Sequence, residues 1–441
     1  MGRMAHVVSI KDIRLLEMSW VIPPTKKQYR TKPGEYISHL LGHEGQGSLL
    51  SLLKREGWAD SLGAGPAHSS ENFAIFEVNV ELTAEGVNHI DKILELTYGY
   101  LHMIRDKGIE KWIYDEAASL AEMRFKFSER TEPFALVERL AQQMSTYPEA
   151  QWLSGAYLLV DYNPDCILDV LNHLTPERVN VTVAGKFVEG STNKKEPWYG
   201  TAYRQDFISE DMIGLWKNAK PNSELHIPYK NPFIPEKFDL LAEPLPVEDV
   251  DLSGPLKVLE TKQVELYYKL DRTFRRPKAS IRMKMICPVA YSSPRNSVMT
   301  NIFTLLLEDS LNEYAYDAVV AGMRYSLRNV TYGMHLAVDG YNDRLHVLAG
   351  AIIEKIAAFK VNSDRFGKIR DQLERDFANF QKEQPYEHAM YNISFLLESP
   401  RWHVEDYLSC LRDGSVTVAA VDAFVPVLLG RMFSVILVHG M

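Results

Sequence analysis

The order of strand and helix patterns most constrains what this chain can fold into, because the same order occurs twice. Alternating apolar residues predict strands at 16–22, 76–82 and 179–183 in the first half, and at 264–270, 281–285, 334–338 and 433–437 in the second. Helical patterns separate these strands in both halves. We therefore predict an α+β fold of two homologous domains, each a mainly antiparallel sheet covered by helices.

Composition changes between the two halves, where the chain becomes rich in Pro, Lys, Glu and Asn. A proline-rich stretch of this kind is typical of a stiff linker between domains. We predict three segments, a first domain at 5–218, a linker at 219–255 and a second domain at 256–441. Part of the region before the linker is expected to be loop packed by aromatic side chains, Trp198, Tyr199 and Trp216.

Local patterns within the first domain predict further elements. Helices are expected at 110–128, 133–145, 149–160 and 164–173. The stretch rich in Gly, Pro and Ser after Trp58 predicts a loop leading into the strand at 76–82.

Charge and cysteine usage exclude several classes of protein. The 441 residues carry a net charge of −9, which argues against nucleic-acid binding because neutralising phosphates needs clustered Lys and Arg. The 3 cysteines lie far apart and form no CxxC pair, so we expect a reducing compartment and no disulfide framework. No secretory signal and no apolar run of about 18 residues is found. We therefore expect a cytoplasmic protein without a membrane span.

Two histidines on a short helix resemble part of a metal site. His39 and His43 are spaced i, i+4 and so share one helical face, a spacing that can seat zinc. The inverted zinc-peptidase motif is H-x-x-E-H, whose Glu activates the metal-bound water. Gly42 occupies the position of that Glu and cannot act as a base. The pattern H-x-x-G-H therefore indicates a hydrolytic motif without its catalytic group.

Several long stretches, in order, resemble the insulinase (pitrilysin-type) zinc metallopeptidase family. They are SHLLGHEGQGSLLSLLK at 38–54, EVNVELTAEG at 77–86, EPWYGTAY at 196–203, EDSLNEYAYDAVVAGMRYSLRNVTYGMHLAVDGYND at 308–343 and EQPYEHAMY at 383–391. The resemblance implies the second and third of the four similar domains of such enzymes. Zinc belongs to the first domain, with H-x-x-E-H, a motif absent from this sequence. We therefore expect no metal cofactor in this chain and no peptidase activity of the chain alone.

The resemblance also implies a site that anchors the N-terminal end of a peptide substrate. The residues carried over are His39, Gly42, Glu44, Leu62, Ala64 and Pro66, with Glu35 in place of a histidine of the family. Glu44 can pair with a peptide's α-ammonium group, while Gly42 lets a backbone approach closely. Ala64 and Pro66 replace a Gly and a Gln, and Pro66 has no N–H to donate to a peptide.

Three hypotheses for function remain open. The first is a non-catalytic central part of an insulinase-family peptidase, which binds peptide substrates and acts as scaffold, with a separately encoded catalytic domain or a second copy as partner. The second is a self-sufficient metallopeptidase in which Glu116 or Glu122 joins His39 and His43 as a zinc ligand. The third is a truncated product with only a structural role. The plain alternative for the histidines is that they are two polar residues on a helix face.

Overall fold

The computed structural model describes residues 2–240 and 254–440. The chain divides into two compact units, residues 1–230 and 231–441, here called unit 1 and unit 2. The domain boundaries expected at 218 and 256 stay a prediction. Residues 241–253 of the expected linker lie outside the described residues.

Unit 1 is built on a sheet with helices packed against it. Its described strands are β1 (Arg3–Val7), β2 (Arg14–Ile22), β3 (Ala59–Ser69), β4 (Ala74–Leu82), β5 (Val179–Gly185), β6 (Lys194–Lys195) and β7 (Ala202–Phe207). Its described helices are α1 (Pro33–Leu41), α2 (Leu49–Glu56), α3 (Ile90–Lys107), α4 (Lys111–Lys126), α5 (Pro133–Met144), α6 (Pro164–His173) and α7 (Glu210–Lys217). The strand order is β3-β4-β2-β5-β1-β7-β6, and only the β1–β5 pair is parallel among the described strands of unit 1.

The core of unit 1 follows from the alternation in β2. Leu16, Met18 and Trp20 are all fully buried, whereas their neighbours along the strand are partly exposed. The Trp20 indole N–H donates to the Thr175 carbonyl at 3.1 Å, and its ring lies edge-on to Tyr98. The large Trp20 ring is thus buried while its indole N–H keeps a hydrogen-bond partner.

Unit 2 has the same kind of architecture. Its described strands are β8 (Leu256–Glu260), β9 (Val264–Leu270), β10 (Lys278–Ile286), β11 (Arg324–Val330), β12 (Gly333–Tyr341) and β13 (Phe433–Gly440). Its described helices are α8 (Pro294–Val320), α9 (Asn342–Ala357), α10 (Ser363–Asn379), α11 (Pro385–Leu397), α12 (Val404–Arg412) and α13 (Val418–Gly430). The strand order is β11-β12-β10-β13-β9-β8, with β9 and β13 parallel. None of the helices in the described part of either unit is long and apolar enough to cross a membrane.

The two sheets repeat one topology. The order β3-β4-β2-β5-β1 in unit 1 corresponds to β11-β12-β10-β13-β9 in unit 2, and the parallel pair falls at the same place in both. This confirms the predicted fold of two homologous α+β domains. The helix before the edge strand differs, because α8 is one helix of 27 residues where unit 1 has α1 and α2. In unit 1 a glycine-rich turn at 42–48 interrupts the helical path.

Three local expectations were wrong. Residues 149–160 contain only a short 3-10 turn, Glu149–Gln151, in place of the expected helix. The stretch after Trp58 is not a loop but the edge strand β3, where a proline is tolerated because one side of the strand needs no partner. Trp198 and Tyr199 are 87% and 92% exposed and pack nothing, whereas Trp216 is buried as expected.

Glu308 on α8 joins that helix to the edge strand of unit 2. Its side chain accepts a hydrogen bond from the Leu327 backbone N–H of β11 at 3.1 Å. Burial raises the pKa of the Glu308 carboxyl, and the bond from Leu327 opposes this only in part.

The pH dependence of stability should therefore change in Glu308→Gln, which keeps an oxygen acceptor and cannot ionise. The folded chain holds the Glu308 proton more tightly than the unfolded chain, in which the pKa is near 4.5. The wild type thus loses stability as the pH rises from there through the folded pKa. Urea unfolding should show the variant equal to wild type near about pH 4 and more stable near about pH 7.

Glu308→Leu is the matched control, because it leaves the Leu327 N–H without its acceptor. We expect it to lose about 1–3 kcal/mol near either pH. A stability difference between Glu308→Gln and wild type that is independent of pH would contradict the assignment.

Candidate functional site

Helix α1 lies along the free edge of β3, and the line where the two meet is here called the α1–β3 seam. β3 pairs with β4 on one side and is the last strand of its sheet. On the other side the Ser38 hydroxyl of α1 donates to the Ala64 carbonyl. A Cβ atom on Gly34 would come within 2.6 Å of the Pro66 ring, and one on Gly42 within 3.5 Å of the Ala64 nitrogen. The helix therefore approaches the strand edge closely at small residues.

The backbone of β3 presents alternate residues to this seam. The Ala64 carbonyl points to Ser38 and not to β4, and the register from Ser61 to Pro66 is unbroken. Because antiparallel strands alternate between paired and outward-facing residues, the backbone groups of Leu62 and Pro66 also face outward. Pro66 therefore costs the sheet no hydrogen bond. A peptide strand added at this edge could accept hydrogen bonds from the N–H groups of Leu62 and Ala64, but Pro66 has no N–H to donate.

The two histidines have different surroundings. Their rings lie edge-to-face with centroids 5.8 Å apart. His43 is only 5% exposed, and its Nδ1 accepts the Gly45 N–H at 3.0 Å, so it supports the glycine-rich turn. His39 is half-buried on α1.

These side chains do not fit a catalytic zinc site. No group of three His, Cys, Asp or Glu residues that could hold a metal lies within residues 2–240 and 254–440. Glu116 and Glu122, the acids considered as a third ligand, lie on α4, and Glu122 is exposed. Two imidazoles are too few, since catalytic zinc takes three protein ligands.

The glycine-rich turn is held by a segment near the end of unit 1. Gly47 has φ +77°, and its carbonyl accepts the His226 N–H at 3.0 Å. The His226 ring also occupies the space that a side chain at Gly47 would need. The turn positions Glu44, half-buried, just beyond the end of α1. Glycine is thus required at 47 both by backbone conformation and by space.

The structure brings most of the predicted site residues to the seam. Gly42 lies on the helix side, and Ala64 and Pro66 lie on the strand side, whereas His39 is on α1 at the residue after Ser38. The Leu62 side chain is only 5% exposed and belongs to the core, so this residue offers its backbone alone. Glu35 is exposed in the first turn of α1.

The sequence reasoning missed Gly34 and Ser38, which make direct contacts across the seam. A signal existed, because Gly34, Ser38 and Gly42 are small residues at i, i+4 and i+8. Such a stripe lets a neighbouring backbone approach one face of a helix.

Comparison with known proteins identifies relatives of both units. One family model, described as the peptidase M16 inactive domain, matches residues 4–120, and another, described as the middle or third domain of peptidase M16, matches residues 125–410. Human insulin-degrading enzyme is 39% identical over 434 residues, which are 98% of this chain and 42% of that protein. Nardilysin of Rattus norvegicus is 33% identical over 444 residues, covering 100% of this chain and 38% of that protein.

Solved structures agree with this fold. The crystal structure of pitrilysin aligns with a TM-score of 0.66 at 23% identity, covering 99% of this chain and 46% of that one. The chain thus spans about two fifths of the length of the curated relatives it matches. The two family models meet within α4, whereas the compact units divide after Lys230.

Proposed function

Because this chain belongs to the peptidase M16 family, we propose that it binds extended peptides along the α1–β3 seam and does not cleave them by itself. The observation that carries the proposal is the outward-facing backbone of β3 at Leu62 and Ala64, beside a helix that places the small residue Gly42 next to Ala64. A peptide can add to such an edge as a further strand, with main-chain hydrogen bonds supplying much of the affinity.

The same position explains why cleavage is not proposed for this chain. Hydrolysis needs a base to activate a metal-bound water, and Gly42 supplies none. The two histidines are not joined by a third ligand within the described residues. Cleavage of a bound peptide would then require an H-x-x-E-H site on another polypeptide segment.

Binding of a peptide has to compete with one existing contact. The Ala64 carbonyl is already bonded to Ser38, so an incoming N–H must replace that hydroxyl. The exchange conserves the number of hydrogen bonds at Ala64, which keeps its net cost small.

The far end of α1 favours a positive charge. Glu44 lies three residues after Leu41, the last residue of the helix, where the C-terminal end of the helix dipole also gives negative potential. A free peptide N-terminus placed there would meet both. We therefore assign Glu44 as the partner of the peptide's α-ammonium group.

Glu44→Gln tests this assignment. A fluorescent peptide of about ten residues, long enough for one strand, is titrated with the chain and followed by anisotropy. We expect the substitution to weaken binding of the free-amine peptide by about three- to tenfold and to leave the N-acetylated peptide unchanged. Glu56→Gln, at an exposed residue ending α2, is the matched control. Equal loss for both peptides, or no binding to a folded sample, would refute the proposal.

A further inference from the structure

Unit 2 contains a cavity of about 230 Å³ between α8 and the end of β11. Its walls include Ser297 and Asn301 of α8, Asn329 of β11, Phe377 of α10 and Tyr407 of α12. The described residues that line it are aromatic, aliphatic or neutral polar, and none carries a charge. The cavity therefore suits an uncharged group about the size of one amino-acid residue.

Asn329 lies in the wall of this space and has an acceptor atom that is unpaired within the described part of the chain. Its Nδ2 donates to the Ser297 carbonyl at 3.0 Å. A carbonyl can only accept, which fixes the orientation of the amide group. The Asn329 Oδ1 atom is buried and has no hydrogen-bond partner among the described residues. Because buried carbonyl oxygens are nearly always paired, this atom calls for an N–H or O–H from an occupant.

A cluster of hydroxyl groups offers a donor. The Tyr291 and Tyr407 hydroxyls are 3.1 Å apart, and Tyr407 is also bonded to the side chain of Ser297. Three hydroxyls joined by two hydrogen bonds use two of their three hydrogens. One hydrogen remains to donate to an occupant. Phe377 stacks on Tyr407 with centroids 5.2 Å apart and gives the cavity a flat apolar wall.

The cavity lies where unit 2 repeats the helix-and-edge arrangement of the seam. α8 runs beside β11, the edge strand that corresponds to β3. The Leu327 N–H points to Glu308 of α8, and the register of β11 is unbroken, so the backbone of Asn329 also faces away from β12. Backbone and side-chain amide groups of Asn329 are thus both directed away from the sheet ladder.

We propose that this cavity binds one uncharged amide unit of a peptide-like ligand. The ligand's N–H donates to Asn329 Oδ1, and its carbonyl accepts the remaining hydrogen of the Tyr291–Tyr407–Ser297 cluster. A charged ligand is disfavoured because it would lose its hydration without gaining an opposite charge. The site lies in unit 2, so failure of peptide binding at the α1–β3 seam leaves the test below unaffected.

The test is a titration followed by ligand-observed saturation-transfer NMR on the full chain. The probe is N-acetylalaninamide, and the matched compound is methyl O-acetyllactate, which keeps both carbonyls but has no N–H. We expect saturable binding of the amide and at least about fivefold weaker binding of the ester, since each lost hydrogen bond to a buried acceptor lowers affinity.

Two variants locate the binding. Thr331→Trp places a large side chain at an exposed residue lining the cavity and should abolish binding. Tyr407→Phe should weaken it about three- to tenfold. Tyr386→Phe, which removes a hydroxyl from an exposed residue of α11, should leave it unchanged. Circular dichroism checks that each variant folds.

Other results of the same titrations would contradict the proposal. Equal affinity of the amide and the ester, or undiminished binding in folded Thr331→Trp, would overturn the proposal. Absence of saturable binding to the folded wild type would show that the cavity holds ordered water only.

Discussion

Gly86→Ala is expected to destabilise unit 1 by at least about 3 kcal/mol, because the added methyl group collides with backbone. A Cβ atom on Gly86 would lie 1.8 Å from the Trp58 carbonyl oxygen and 2.7 Å from its carbon. The Trp58 backbone is hydrogen-bonded to Leu53 and to Thr83, so it cannot turn aside as a flexible side chain can. Urea unfolding followed by tryptophan fluorescence would measure the loss.

The collision would disturb the corner that begins β3. The Thr83 hydroxyl donates to the Gly57 carbonyl at 2.6 Å and accepts the Gly86 N–H at 2.9 Å. The Trp58 carbonyl, in turn, accepts the Thr83 N–H at 3.0 Å. This arrangement joins the end of α2 to the end of β4. Displacing this corner should also lower peptide affinity at the α1–β3 seam, because β3 begins at Ala59, directly after Trp58.

Gly63→Ala is the matched control for this substitution. Gly63 is an exposed residue of β3, and nothing lies within 4 Å of the Cβ atom it would gain. We expect a change within about 0.5 kcal/mol. Similar unfolding free energies for the two variants would show that the corner is not rigid.

Gly42→Glu restores the letters H-x-x-E-H and should nevertheless produce no peptidase. The base would return, but no third metal ligand joins His39 and His43 within the described residues. The added side chain would start 2.9 Å from the Ser38 carbonyl and 3.5 Å from the Ala64 nitrogen, the place proposed for the peptide. We therefore expect at least about a tenfold loss of peptide affinity from this steric block.

Turnover of a quenched fluorescent peptide, with added zinc and with a chelator, distinguishes the remaining hypotheses. We expect no turnover from the wild type or from Gly42→Glu. Gly42→Ala, which adds a smaller side chain, is the control for the steric effect on peptide affinity. Chelator-sensitive turnover that is lost in His43→Ala would establish the self-sufficient metallopeptidase instead. Aggregation of a purified chain that binds no peptide would favour the purely structural role.

Strands could be predicted from the sequence where buried and exposed residues alternate along the strand itself. In β2 and β4 every second residue is buried, from Leu16 to Ile22 and from Ala74 to Leu82, so period two is visible in the residue types. β1 was not predicted, because it is short and only partly buried. It enters the sheet beside residues 180–184, far along the chain, and no local pattern encodes that pairing.

The sequence by itself determined the repeated α+β plan, the family, and the loss of the catalytic base at Gly42. These depend on residue identity and on periodic burial, which are local properties of the chain. Only the tertiary structure decided that β3 is an edge strand, that Ser38 caps Ala64, and that Asn329 faces a cavity. The burial of β3 residues does not alternate strictly, and the partner of its outward-facing backbone at Ala64 comes from a helix elsewhere in the chain, so no local pattern identifies the edge.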